Sequence, residues 1–345
     1  MTRPADVVSV VIVNYDSADG LGTCLDALDA DPDNEALTVI VVDNASGDRS
    51  ADSADRNFAR IATTLVRNDQ NLGLAGAVNR VRGDIRTEKI AVLNPDTIAE
   101  PGWLRAMLEA LDAHPGAAAA SPMVVLASGE GVNSLGQRLH ISGLGFNRLL
   151  GHPISDAPTN THTVDGLHGA AFVIDTAVLA AIGGWNDTGF LYHEDVALSW
   201  SIRALGRSIL AVPSARVSHD YYLSMHPQKL FLLERGRALL LHSHLATSTR
   251  VILSPLLAVA SLSVLALCVL RGPAFIRAKF RVWRWMRTHR DEAAQWRAEV
   301  DDFRQVSDRT LLSGLAWGFP IRQIVGVGSE SSAKMRRPLE QGESR

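Results

Sequence analysis

Val7-Val8-Ser9-Val10-Val11-Ile12-Val13-Asn14-Tyr15-Asp16 is the stretch on which the fold turns. From Val7 to Val13 only Ser9 interrupts a run of β-branched residues, the composition of a strand buried on both faces. The run stops at Asn14-Tyr15-Asp16, and Leu21, Leu25 and Leu28 then recur at helical spacing. The same unit repeats downstream. Thr38 to Val42 ends at the turn formers Asp43-Asn44-Ala45-Ser46-Gly47-Asp48, and Ala62 to Val66 is followed by Asn71-Leu72-Gly73 and on to Asn79. Lys89 to Leu93 ends at Asn94-Pro95-Asp96, and Pro101 suits the first turn of a helix with Leu104, Met107, Leu108 and Leu111 on one face. Buried strands alternating with amphipathic helices predict an α/β fold, a mostly parallel sheet with helices on both faces.

Asp43, Asn71 and Asp96 each follow a strand, so the topology gathers them along the carboxyl edge of the sheet, where open α/β sheets bind ligands. Asp96, with Thr97 beside it, suits a hard divalent cation that bridges two phosphates. Asp43 is placed to accept a hydrogen bond from a base N–H, or to close an Asx-turn. After Val125 the pattern loosens, and residues 126 to 167 read as irregular or short antiparallel structure. Ala170 to Ile174 is a strand candidate, followed by a short helix ending at Gly183-Gly184; Ile209 to Val212 and Ala215 to Val217 are two more strand candidates. Glu194-Asp195 opens a further helix, where a carboxylate either caps the end or serves as general base toward a hydroxyl. His219 follows a strand and offers an imidazole to the metal.

Composition narrows the classes. The 345 residues are 46% hydrophobic and 21% charged, which fits a globular chain with a sizeable core, and the formal net charge of −3 gives no reason to expect nucleic acid. Two cysteines, Cys24 and Cys268, make neither a disulfide framework nor a cysteine metal site and suit a reducing compartment. No G-x-G-x-x-G follows the first strand, and neither G-x-x-x-x-G-K-[ST], G-x-S-x-G nor H-E-x-x-H occurs, which argues against a dehydrogenase, a P-loop nucleotidase, an α/β-hydrolase and a zincin.

Seven segments in order resemble the inverting glycosyltransferase family 2, of GT-A fold. They are Val10 to Tyr15, Val41 to Ser46, Asn71 to Asn79, Leu93 to Asp96, Gly183-Gly184-Trp185, Phe190 to Val196 and Val217-Ser218-His219. The resemblance covers residues 7 to 219 and is similar in kind to bacterial rhamnosyltransferases and other cell-envelope enzymes. It implies a nucleotide-sugar site formed by Asn14, Asp43, Asn44, Asn71, Gly73, Asn79, Asn94 and Asp96, with Asp43 on the base. It implies Mn²⁺ or Mg²⁺ held by Asp96 and His219, and Asp195, with Glu194 as the neighbouring candidate, as the base. The implied reaction moves a sugar, rhamnose or another hexose, from a UDP- or dTDP-sugar to a hydroxyl of a glycan or polyprenyl-diphosphate-linked acceptor. The sequence departs from the family pattern in three places: Asn94 replaces the first Asp of the metal motif, Gly-Gly-Phe-Asp-Glu appears as Gly183 to Asp187, and Ala197 stands where a further Asp is usual.

Three regions are expected: a catalytic domain over 1–225, a helical, membrane-associating region over 226–328, and a disordered tail over 329–345. Val251 to Leu270 carries no charge and is long enough to cross a bilayer. The basic segment after it, from Arg271 to Arg290 with Trp283 and Trp285, would be exported by a single crossing, against the positive-inside tendency. Peripheral or monotopic attachment to the inner face of the cell membrane, by a helix lying in the interface, is therefore expected for a chain without a secretory signal at its first residues. Two rival functions compete: a catalytically silent, membrane-associated scaffold, and a nucleotidyltransferase. The latter needs an early basic loop for triphosphate, and residues 14 to 30 contain no Lys or Arg.

Overall fold

The structure, a computed structural model, describes residues 3–129, 131–220 and 225–318. The opening run forms β1 (Val8–Asn14), with Val7 closing a short helix, α1 (Pro4–Val7). β2 (Leu37–Asp43), β3 (Ile61–Arg67) and β4 (Lys89–Leu93) join it in parallel in the order β3-β2-β1-β4. Alternation along β1 sends its side chains to two layers. Val8, Val10 and Ile12 pack with Leu21, Leu25 and Leu28 of α2 (Gly20–Ala30), while Val11 packs with Val78 and Val81 of α3 (Gly73–Arg82) on the opposite face. The short β5 (Thr97–Ala99) leads into α4 (Trp103–Asp112), whose Trp103, Leu104 and Met107 complete the α2 layer.

The second half of the sheet is mixed. It contains β6 (Ala117–Leu126), β7 (Val132–Ser134), β10 (His162–Val164), β11 (Ala171–Asp175) and β12 (Ser208–His219); β8 (Gln137–Leu139) and β9 (Gly145–Asn147) form a separate hairpin. Beyond β4 the order is β11-β6-β12-β10, with β11 antiparallel to both neighbours and β6 parallel to β12. β6 begins with four alanines, all buried, so it lacks the β-branched signature of β1 and escapes a reading based on it. The two short strands expected at 209–217 are one twelve-residue strand, because a register shift between Val212 and Arg216 absorbs Pro213 without ending the pairing. β12 also pairs antiparallel with β5, His219 lying opposite Thr97.

Helices α5 (Thr176–Ala181) and α6 (Glu194–Ala204) cover the α3 face. Then come α7 (Pro227–His244), α8 (Thr247–Arg271), α9 (Pro273–Thr288), α10 (Arg290–Phe303) and α11 (Asp308–Leu312). The helical region shares a core with what precedes it. Trp200 of α6, Leu239 and Leu240 of α7, Trp296 and Val300 of α10, and Leu139 of β8 form one buried cluster. α8 differs: only Ala260 and Cys268 are buried, and it is the one helix among the described residues long and apolar enough to cross a membrane. The expected tail, 329–345, lies outside the described residues.

Candidate active site

β4 and β5 carry Asp96 on the turn between them, and the β5–β12 pairing brings His219 beside it, Nε2 3.4 Å from the Asp96 Oδ1. His219 Nδ1 lies 3.1 Å from Asn133 Oδ1, at the centre of β7. That bond assigns the proton to Nδ1 and turns the Nε2 lone pair toward Asp96, the second-sphere arrangement of an imidazole ligand. One carboxylate and one imidazole fit Mn²⁺ or Mg²⁺ whose other ligands are phosphate and water. Among the described residues no cluster of three or more His, Cys, Asp or Glu gathers for a metal; Asp96 and His219 are a pair that could hold one.

The ends of β1 and β2 build a buried network. Asn14 lies opposite Asp43 in register, and its amide donates to Asp43 Oδ1 at 2.9 Å, to Ser46 Oγ at 3.0 Å and to Ser50 Oγ at 2.9 Å. Ser46 Oγ also donates to Asp43 Oδ1 at 2.6 Å, while Asp43 Oδ2 is 3.8 Å from Arg67. Asn14 and Asp43 thus brace the turns, and Val13, Tyr15, Asp16 and Ser17 are the β1-end residues that line the cavity. Asn44 donates to Asn71 Oδ1 at 3.3 Å and to the Gly73 carbonyl at 3.2 Å, and Asn71 Oδ1 accepts from Gly73 N–H at 2.8 Å. Gly73 has φ +72°, and a Cβ there would stand 2.3 Å from the Phe190 carbonyl oxygen, so glycine lets the Phe190 to Val196 segment close onto α3. Asn79 is a correction. Its amide donates to Trp185 O at 2.6 Å and accepts from Trp185 N at 2.9 Å, outside the cavity, so it clips the Gly183–Trp185 loop rather than facing a donor.

Glu194 and Asp195 have separate tasks. Glu194 Oε2 accepts from the His193 N–H at 2.7 Å, capping its own helix, and burial, then the charge of Asp195, pushes its carboxyl up to about 8. Asp195 Oδ2 accepts from Gln137 Nε2 at 2.8 Å and from Gly169 N–H at 3.2 Å; Oδ1 accepts from Val196 N–H at 2.8 Å. Burial raises its pKa above the usual carboxylate range, and these three donors partly oppose the shift. His168 lies edge-on to His219, ring centroids 6.0 Å apart, and is kept neutral by burial and by His219, its pKa lowered to about 3.

One cavity of about 1180 Å³ joins these groups. Asn44, Asn71, Gly73, Asn94, Asp96, Gln137, His168, Glu194, Asp195 and His219 line it, as do residues of α7 and α8. Sequence reasoning missed Gln137 and His168, which lie in the stretch with the weakest periodicity, and Tyr192 and Lys229, which look like ordinary surface residues.

A sheet edge carrying an Asp–His pair, with a buried carboxylate on the same cavity, is the arrangement of a group-transfer enzyme. Residues 9–176 match the family described as Glycosyl transferase family 2. The chain is a glycosyltransferase of GT-A fold. It is similar to the N-acetylglucosaminyl-diphospho-decaprenol L-rhamnosyltransferase of Mycobacterium tuberculosis, 27% identical over 236 residues that cover 62% of this chain and 76% of that one. In fold it resembles GalNAc-T7, whose crystal structure contains UDP, GalNAc and Mn²⁺, at TM-score 0.63 and 13% identity, covering 92% of this chain and 57% of that one. It also resembles residues 1–349 of S. aureus TarS, at TM-score 0.50 and 17% identity, covering 88% and 90%.

Proposed function

We propose that the protein is an inverting glycosyltransferase that moves a hexose, with rhamnose the favoured case, from a UDP- or dTDP-sugar to a hydroxyl of a polyprenyl-diphosphate-linked glycan in cell-envelope synthesis. The observation that carries this is the continuity of one cavity from the Asp96–His219 pair, past Asp195, to the apolar helix α8. The similarity to a rhamnosyltransferase named for a lipid-linked substrate supports the same donor and acceptor classes.

Asp195 is the base. Gln137 and Gly169 hold its Oδ2, and the raised pKa suits a group that must take a proton from an alcohol. As the acceptor hydroxyl loses its proton to Asp195, its oxygen attacks the anomeric carbon from the face opposite the departing nucleoside diphosphate, and configuration inverts. Asp96 and His219 would hold Mn²⁺ or Mg²⁺, which supplies charge to stabilise the leaving diphosphate. Asn44, Asn71 and Asn94 offer amides along the donor's side of the cavity, over the base that Asn14 and Asp43 form. The 1–225 region would bind the donor, and α8 and α9 would hold the enzyme to the inner face of the membrane.

A thermal-shift panel of UDP-, dTDP- and GDP-sugars, with and without Mn²⁺, tests the donor reading. A bound donor raises the melting temperature according to its concentration over its dissociation constant. Stabilisation by a UDP- or dTDP-sugar that requires Mn²⁺ is expected; no shift with any donor would sink the proposal.

A further inference from the structure

The cavity has two unlike walls. The sheet edge supplies Asn44, Asn94, Asp96 and His219, and the helical wall supplies Leu230 and Leu233 of α7 with Ala260, Val264, Leu267 and Cys268 of α8. Those α8 positions fall on one helical face by their spacing, while Val259, Leu262, Val269 and Leu270 are exposed on the rest of the helix. One cation, Lys229, lies on the α7 part of this wall.

The described residues include three lysines. Lys89 pairs with Asp175 at 3.5 Å, and Lys279 pairs with Glu234. Lys229 has no carboxylate within ion-pair distance among the described residues; its ammonium sits 4.8 Å from the centroid of the Tyr192 ring. Tyr192 holds that position from a left-handed backbone, φ 74°, in the segment that leads to Asp195. Burial lowers the pKa of Lys229, and no acidic neighbour offsets it. A half-buried ammonium against an aromatic face and leucines, open to a cavity, is placed for an anion that arrives with the ligand. Glu234, which lines the same cavity, does not serve as its partner. Arg237, at 2.8 and 2.9 Å, and Lys279 occupy the Glu234 carboxylate; they outweigh its burial and hold its pKa down to about 2.

We infer that Lys229 is the phosphate anchor of an acceptor subsite, binding the diphosphate of an isoprenoid-linked substrate whose hydrocarbon chain runs along the α8 face of the cavity. The inference rests on the lipid-acceptor reading above and assigns the residue that recognises the acceptor's charged joint. The donor's diphosphate would have its own site at Asp96 and His219 of the sheet edge; the helical wall has apolar surface with Lys229 on α7 and Arg271 at the end of α8, which matches an amphiphile with a charged head.

The test uses the full chain and compares wild type with Lys229→Gln and Lys229→Arg. Turnover is measured on geranylgeranyl-diphosphate-linked N-acetylglucosamine and on its phosphate-free octyl glycoside. Loss of a charge-assisted bond is worth about 1.5–3 kcal/mol, so the KM of Lys229→Gln for the diphosphate acceptor should rise about ten- to a hundred-fold. The KM for donor and for octyl glycoside should hold, and Lys229→Arg should recover most of the loss. Equal losses on both acceptors, or a loss confined to donor binding, would overturn the assignment. A second arm needs no turnover: geranylgeranyl diphosphate binding to wild type and to Lys229→Gln is measured by calorimetry, with melting temperatures confirming that both are folded. Lys229-dependent binding there, with no transfer by wild type to either acceptor, leaves the phosphate site standing and removes the lipid-glycan acceptor. Binding that is equal in the two proteins removes the phosphate site itself.

Discussion

At the scale of single residues, the two carboxylates that head α6 show how environment divides identical chemistry. Glu194 is spent on its helix end, while Asp195 is held by Gln137 and Gly169 at the cavity wall. Asp195→Asn should therefore lower kcat about 10²- to 10⁴-fold while donor affinity, read by calorimetry, stays close to wild type; unchanged turnover would exclude Asp195 as the base. Asp96→Asn should instead remove the Mn²⁺-dependent part of donor stabilisation in the thermal-shift assay, because the proposed metal site has Asp96, beside His219, as its acidic member. Glu194 also has a pH signature. Its folded pKa, about 8, exceeds the ordinary carboxyl value, so the folded state holds the proton more tightly than the unfolded chain. The stability this contributes is complete below the ordinary pKa and is lost as pH rises toward and through about 8. Denaturant titrations of Glu194→Gln from pH 4 to 9 should show a flatter fall over that window than wild type. An unchanged slope would exclude the burial of a protonated Glu194. Asp96, Asp195 and His219 could be picked out as candidates because acidic and imidazole groups at strand and helix ends stand out from their surroundings, and they line one cavity. Gln137 and Asn133 could not, since an amide carries no chemistry until a neighbour has been folded against it.

Elements decide how those residues meet. Gly73 opens α3 with a positive φ and receives the Phe190 carbonyl at a distance no side chain permits, which couples the donor-side helix to the loop before Asp195. Gly73→Ala should cost about 1–3 kcal/mol of stability in chemical denaturation, from backbone strain alone. It should also raise the KM for donor, as the loop is pushed off α3; wild-type stability and KM would refute the coupling. β12 is the other decisive element. Its register shift lets a strand containing Pro213 continue to His219, and its pairing with β5 sets that imidazole opposite Thr97, one residue from Asp96. The expected strands β1 to β4 appeared almost to the residue: β1, β2 and β4 because strands buried on both faces must be mostly apolar, and β3, an edge strand with Ile61 its one buried residue, because Thr63, Thr64 and Val66 are β-branched. β6, built from alanines, and the full length of β12 were hidden: small residues and a proline carry a weak strand signal until neighbours cover them.

Over the whole molecule, the helical region is bound to the catalytic sheet through Trp200, Leu239, Trp296 and Val300, while α8 keeps most of its apolar surface outward. Part of the basic stripe after it turns inward. Lys279 meets Glu234, and Arg235 rather than lipid covers Trp285, at 5.0 Å. Arg277, Arg284, Phe280 and Trp283 remain exposed beside the α8 face. A membrane contact through α8 predicts that the double variant Leu262→Glu/Leu270→Glu, which alters exposed positions, loses vesicle binding about tenfold or more in co-sedimentation with anionic liposomes. Its melting temperature in solution should be unchanged. Undiminished vesicle binding would place the contact elsewhere.

The amino-acid sequence by itself determined the alternation of buried strands and helices and the polar residues at their ends, because hydrophobic period and turn chemistry are local properties. It also marked the long uncharged segment that became α8. The tertiary structure decided which ends share a cavity: that His219 faces Asp96, that Gln137 holds Asp195, that Asn79 clips a loop, and that Lys229 looks onto the α8 wall. The physical reason is that strand register and helix docking join residues far apart in the chain, and a side chain's charge state and partners exist only once that packing has set its surroundings.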